Sequence, residues 1–89
     1  MKIYNSSRKD KRYVAVFNDG TKTHFGLKNS NTYIDHADGL LRKNYLKRHQ
    51  KNENWDAYKS AGSLSRWILW GDSDNINTNI HAYIKRFSL

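Results

Sequence analysis

The chain has no cysteine and no proline, and only one glutamate, Glu53. Without cysteine there is no disulfide and no thiolate metal site to compensate for a small core. That usage fits a reducing compartment. The lack of proline removes only one kind of turn signal. The apolar run Trp67–Trp70 falls far short of the roughly 20 residues that span a bilayer as a helix, so no membrane span is expected. The opening residues Met1-Lys2-Ile3-Tyr4-Asn5 lack the apolar stretch of a signal peptide.

Chemical motifs are equally scarce. No glycine-rich phosphate loop is present, no serine has a G-x-S-x-G setting, and none of His24, His36, His49 and His81 forms a H-x-x-x-H pair. The strand-forming segments carry almost no acids, which argues against two-metal carboxylate chemistry. Asp35, His36 and Asp38 are close enough in sequence to approach one metal ion, but they suit a polar helix start equally well. His49 falls on an apolar helix face, where a hydrogen-bonded core histidine is expected rather than a base. The expectation is a non-enzymatic domain with no metal and no cofactor.

What is present is aromatic residues and positive charge. Eighty-nine residues make a single domain, residues 1–89. A chain of this size buries roughly 60–65% of its unfolded surface, and its twelve aromatic residues supply much of what a small core needs. The net charge of +8 is unevenly distributed: residues 1–51 hold twelve Lys/Arg and four Asp, while residues 52–89 hold four of each sign. The whole excess lies in the N-terminal part. Such asymmetry points to a polyanion or an acidic protein surface as partner.

The pattern along the chain predicts an α+β fold. Arg12 to Phe17 alternates, with Tyr13, Ala15 and Phe17 on one side. Asn18-Asp19-Gly20 is a hairpin turn because Asp-Gly tolerates positive φ. Thr21 to Gly26 returns as the second strand, and Ile3 to Ser6 is a candidate third, edge strand. A lone hairpin is unstable and needs a packing partner. Three to four short helices follow. The first is capped by Asp35 or Asp38, runs to about Gln50 and turns Leu41, Tyr45, Leu46 and His49 to one face. A short helix is expected around Trp55 and Tyr58, and another over Ser63–Trp70, ended by Gly71. The last, capped within Asp72-Ser73-Asp74, carries Ile76, Ile80, Tyr83, Ile84 and Phe87 at the clearest helical period in the chain.

Two groups of candidate binding residues emerge. Arg42, Lys43, Lys47, Arg48 and Lys51 fall within three helical turns, and Lys11 and Arg12, with Lys9 and Lys22, surround the hairpin. These suit backbone contacts to phosphates rather than base reading, with Tyr13, Tyr33 and Tyr45 as candidates for base stacking. Trp55, Arg66, Trp67 and Trp70 form the second group. They suit packing, or a protein interface if a tryptophan is left exposed.

From Tyr13 to Phe87 the chain also carries a series of spaced motifs. They are Asp19-Gly20, His24-Phe25-Gly26, Tyr33, His36, Asp38, Arg42-Lys43, Tyr45, Arg48-His49, Asn52-Glu53-Asn54-Trp55, Gly62, Ser65-Arg66-Trp67-Ile68-Leu69-Trp70 and Lys85-Arg86-Phe87. In order and spacing these resemble a small family of nucleocytoplasmic large DNA viruses of algae and amoebae. Gly71-Asp72-Ser73 stands where that family often has proline, and Leu64 where it favours an aromatic. The resemblance brings no catalytic residues. It implies a viral origin and a virion component, located in the virion or otherwise in host cytoplasm. The leading expectation is a minor capsid or virion-associated protein binding larger virion proteins. The alternative is a sequence-nonspecific DNA- or RNA-binding protein that coats or compacts the genome.

Overall fold

In the computed structural model, which describes residues 1–89, the alternation of side chains builds an antiparallel sheet. Its strands are β1 (Lys2–Asn5), β2 (Lys11–Val16) and β3 (Lys22–Leu27), lying in sequence order with β2 in the centre. The edge strand expected from Ile3 to Ser6 is β1. Register pairs Ile3 with Ala15 and Ala15 with Thr23, and it pairs Tyr13 with Phe25. Because neighbouring side chains point to opposite faces, these residues share one face, on which Ala15 and Phe25 are fully buried. Lys2, Val16 and Lys22 form one cross-strand row on the other face, and Tyr4, Val14 and His24 form a second.

The hairpin loop is Asn18-Asp19-Gly20. Gly20 adopts φ 85°, a conformation that costs glycine little. Phe17 N–H donates to Thr21 O at 2.9 Å, and Asp19 Oδ1 accepts from the Thr21 N–H and hydroxyl at 3.0 and 2.6 Å.

A short helix not expected from the sequence, α1 (Tyr33–His36), precedes the helix expected up to Gln50, which takes the Asp38 start as α2 (Gly39–His49). Ala37 interrupts them in the left-handed region at φ 54°, and Asp38 then caps α2 by accepting from Leu40 and Leu41 N–H at 3.0 and 3.2 Å. The inward face also differs from expectation. Tyr45 is buried and Arg42, Leu46 and His49 are half-buried, whereas Leu40 and Leu41 are 68% and 48% exposed. Hydrogen bonds from Arg42 to the main chain of Trp70 and Gly71 hold the Arg42 side of the helix inward and leave Leu41 outside.

No helix forms around Trp55 and Tyr58. That irregular segment is held by its carbonyls. Trp55 O accepts from Ser63 Oγ at 2.7 Å and Trp67 Nε1 at 3.1 Å, Lys59 O accepts from Thr23 Oγ1 at 2.7 Å, and Tyr58 O accepts from the Tyr83 hydroxyl. The buried Tyr83 phenol is pushed up to about 12 by desolvation, so it remains a donor at neutral pH.

Helix α3 (Ala61–Leu64), capped by Ser60, passes without a break into a π-helical turn, Ser65–Leu69. The last helix, α4 (Ile76–Arg86), is capped by Asn75, whose side chain accepts from Thr78 N–H at 3.1 Å, rather than by Asp72 or Asp74. Leu64, Ile68 and Leu69, from the plug that α3 and the π-turn form, and Tyr83 from α4 close over Ala15, Phe17 and Phe25 to form the core. Fully burying each large side chain contributes roughly 1.5–3 kcal/mol. The result is an α+β domain with its helical layer on one face of the sheet.

The exit from the π-turn is tightly determined. Asn79, 2% exposed, donates through Nδ2 to Ile68 O at 2.9 Å and Ser73 O at 2.7 Å, and accepts from Ser73 N–H at 3.1 Å. A Cβ on Gly71 would lie 2.3 Å from Trp67 O and 2.8 Å from Asn79 Oδ1, so no other side chain fits there. Asn79→Ala leaves buried main-chain groups without partners and is expected to lower unfolding free energy by about 3 kcal/mol. Urea denaturation followed by tryptophan fluorescence measures this, and a loss under about 0.5 kcal/mol would contradict the assigned role.

Candidate functional site

The basic residues divide by whether their charge is already engaged. Arg12 makes a bidentate pair with Asp35, both contacts 2.6 Å. Asp35 also accepts from the N–H and hydroxyl of Thr32 at 2.8 and 3.0 Å. The Arg12 hydrogen bond, then those from Thr32, hold the Asp35 carboxyl well below its ordinary range against a smaller opposing effect of burial. Arg42 donates to Trp70 O and Gly71 O at 3.2 and 2.9 Å, pairs with Asp72 at 2.8 Å, and lies 5.6 Å from the Tyr33 ring centre. Arg12 and Arg42, both expected among the polyanion-binding residues, are therefore tethers within the fold.

The tryptophan group is also turned on its own chain. Arg66 is buried, with its guanidinium carbon 4.1 Å from the Trp67 ring centre and 5.0 Å from that of Trp55. Desolvation, then repulsion from Arg42, lowers its pKa. Its Nη1 donates to Trp70 O at 3.2 Å, while Nε has no hydrogen-bond partner and lies among the indole rings. Arg86 approaches the Trp67 ring at 3.6 Å. Trp55 Nε1 donates to Glu53 at 3.0 Å, and Trp70 stacks on Tyr45 at 4.3 Å. Trp55, Trp67 and Trp70 are all half-buried. Trp55, Arg66, Trp67 and Trp70, the candidate interface residues, thus pack within the chain while the three indoles keep part of their surface exposed.

Four cations of α2 and its end are exposed: Lys43, Lys47, Arg48 and Lys51. The chain's ion pairs are Arg12–Asp35, Arg42–Asp72, His49–Glu53 and Lys59–Asp19, and none of them includes these four. The four-residue spacing of Lys43, Lys47 and Lys51 stacks them along one stripe, and Arg48 joins Lys47 and Lys51 around a shallow depression. Arg48 also borders a cleft of about 460 Å³ with the half-buried Lys11, His49 and Glu53. Both Glu53 oxygens are occupied, one by His49 Nδ1 at 2.8 Å and one by Trp55 Nε1. The cleft therefore extends the cationic surface.

The tyrosines expected to stack on bases are not open to them. Tyr13 packs on Phe25 at 5.9 Å, and Tyr33 lies beneath Arg42. Tyr45 is buried between His49 at 4.2 Å and Trp70 at 4.3 Å, nearly parallel to both. Two such rings cannot share one face without overlapping, so both faces of Tyr45 are covered. Burial, then the Glu53 charge, raises its phenol pKa above the ordinary range. The exposed aromatic is Tyr4, on the sheet face that also bears Lys2, Lys22 and His24. The even-numbered alternation in Lys2-Ile3-Tyr4 and Lys22-Thr23-His24 is the sequence signal for that set, once register is known.

Residues 1–49 match the model of a family of unknown function (DUF5754). This is more than half of the 89 residues, and the chain belongs to that family. No curated protein and no solved structure matches it.

The Arg12–Asp35 pair has a defined pH signature. Its carboxylate has a depressed folded-state pKa, so its contribution is complete above the unfolded value near 4 and is lost as pH falls toward the folded value. Asp35→Asn should cost about 1 kcal/mol at pH 7, given partial solvent exposure, and the gap to wild type should narrow progressively below about pH 4. Denaturation midpoints across pH measure this, and a pH-independent gap would contradict it.

Proposed function

We propose that this member of the DUF5754 family binds nucleic acid through the phosphate backbone, without reading sequence. The observation supporting this reading is the row Lys43, Lys47, Arg48 and Lys51, which is exposed and free of carboxylate partners. Ammonium and guanidinium groups at one-turn intervals neutralise successive phosphates and release counterions, which supplies affinity independent of base identity. The aromatic residues of the C-terminal half are used in packing, so they favour a protein interface less than they did in the bare sequence.

A second reading keeps the virion role implied by the viral resemblance: a minor capsid or virion-associated protein that bridges larger virion proteins. Leu40 and Leu41 favour it, because they are exposed beside the start of the basic row and would supply apolar contact next to charge complementarity. Under this reading the basic row meets an acidic protein surface. The viral resemblance supports a location in the virion, or otherwise in host cytoplasm, under either reading.

Gel-shift titration against random duplex DNA at two salt concentrations separates them. Backbone binding through the four cations should give a log–log salt slope of about −3 to −4, and the double variant Lys47→Glu/Arg48→Glu should abolish it. Absence of binding at low salt would direct the charge to a protein partner. Unchanged binding by the double variant would overturn the role of α2.

A further inference from the structure

We infer that the sheet face opposite the helices is a second nucleic-acid contact, one that selects single strands over duplex; this deepens the proposed backbone-binding reading and rests on it. Register sets the composition of this face. Lys2 and Lys22 flank Val16 in one row, and Tyr4 and His24 flank Val14 in the next. No carboxylate stands in either row. Lys2 and Lys22 are exposed and Tyr4 is 52% exposed, while Val14 is buried between its neighbours. The core elements Leu64, Ile68, Leu69 and Tyr83 all gather with Ala15, Phe17 and Phe25 on the opposite face.

His24 adds a donor. Its Nδ1 lies 2.6 Å from Ser6 Oγ, and Ser6 Oγ already accepts from Arg8 N–H at 3.0 Å. Nε2 has no partner within the chain's hydrogen bonds, so in the tautomer that carries its proton there the ring can donate to a phosphate oxygen. The face thus presents two ammonium groups, an imidazole ring and an exposed aromatic ring.

That combination favours one occupant. A second copy of the chain would bring like charges together. A bilayer surface is gripped by protruding apolar side chains, whereas Val14 here is buried and Val16 is only partly exposed. An unpaired base has a free π-face for Tyr4, and its phosphates meet Lys2 and Lys22. A duplex keeps its bases stacked on one another, and so uses only the charges.

Fluorescence anisotropy of the full chain with a labelled oligothymidylate, and with a random duplex of equal length at matched salt, tests this. Wild type should prefer the single strand. Tyr4→Ala should lower single-strand affinity about ten-fold with duplex affinity unchanged, and Tyr4→Phe, which keeps the ring, should restore it. Lys2→Gln/Lys22→Gln should reduce the single-strand salt slope by about 1.4. Circular dichroism confirms that the variants fold. If Tyr4→Ala binds single strands like wild type while duplex binding still depends on Lys47 and Arg48, this inference falls and the backbone-binding reading stands. If neither nucleic acid binds, both fall. Tyr4-dependent binding to anionic phospholipid vesicles with none to oligothymidylate would also overturn it, in favour of a lipid surface.

Discussion

The fold is organised around main-chain carbonyls at the end of the π-turn. A π-turn shifts the hydrogen-bond register and leaves carbonyls that the next turn does not use. Here Ile68 O is taken by Asn79 from α4, Gly71 O by Arg42 from α2, and Trp70 O by both Arg42 and Arg66. These few acceptors tie together α2, α4 and the plug. The aliphatic core is small, so side-chain bonds to the main chain supply orientation that a larger protein would obtain from apolar packing. Gly71 follows from the same constraint: the carbonyls and Asn79 converge where a Cβ would stand.

The joint also explains how the positive charge is divided. Arg12, Arg42, Arg66 and Arg86 engage a carboxylate, carbonyls or indole rings within the chain. A guanidinium is planar, weakly hydrated and able to serve several acceptors at once, whereas an ammonium favours water. Lysines accordingly dominate what remains outside. Lys43, Lys47 and Lys51 stay exposed, and Arg48 is the arginine among them. The excess charge that distinguishes residues 1–51 survives folding as a lysine-rich surface, while arginines that looked equivalent in the sequence became part of the structure.

Features legible in the sequence were those set by local chemistry. Asp19-Gly20 specifies the hairpin, the strand alternation specifies which face holds Ala15 and Phe25, and the spacing of Ile76, Ile80, Tyr83 and Phe87 specifies α4. Lys43, Lys47 and Lys51 were legible as outward charges because the helical period sets them opposite Tyr45 and His49, with Arg48 on a flank. What was hidden depended on distant partners. Leu41 is the better apolar residue on α2, yet Arg42 turns inward because its acceptors lie nearly thirty residues away. Asp72 and Asp74 look like caps as good as Asn75. The Ala37 break carries no glycine to announce it. Tyr4 became visible as a surface residue only when register placed it beside Val14, and Tyr45 ceased to be one when Trp70 and His49 covered both its faces.

The division of the core along the chain has a consequence for synthesis. Residues 1–49 contain the whole sheet and α2, including Ala15, Phe17 and Phe25, but the side chains that cover them come from Leu64 through Tyr83. A nascent chain emerging from the ribosome exposes an uncovered apolar sheet until α4 is complete, and uncovered sheets with free edges invite association. The hairpin forms early from near neighbours, but it gains a dry side only when α4 has been made. Expression of the first half alone would yield an aggregation-prone fragment, and the two halves are better regarded as a single cooperative unit.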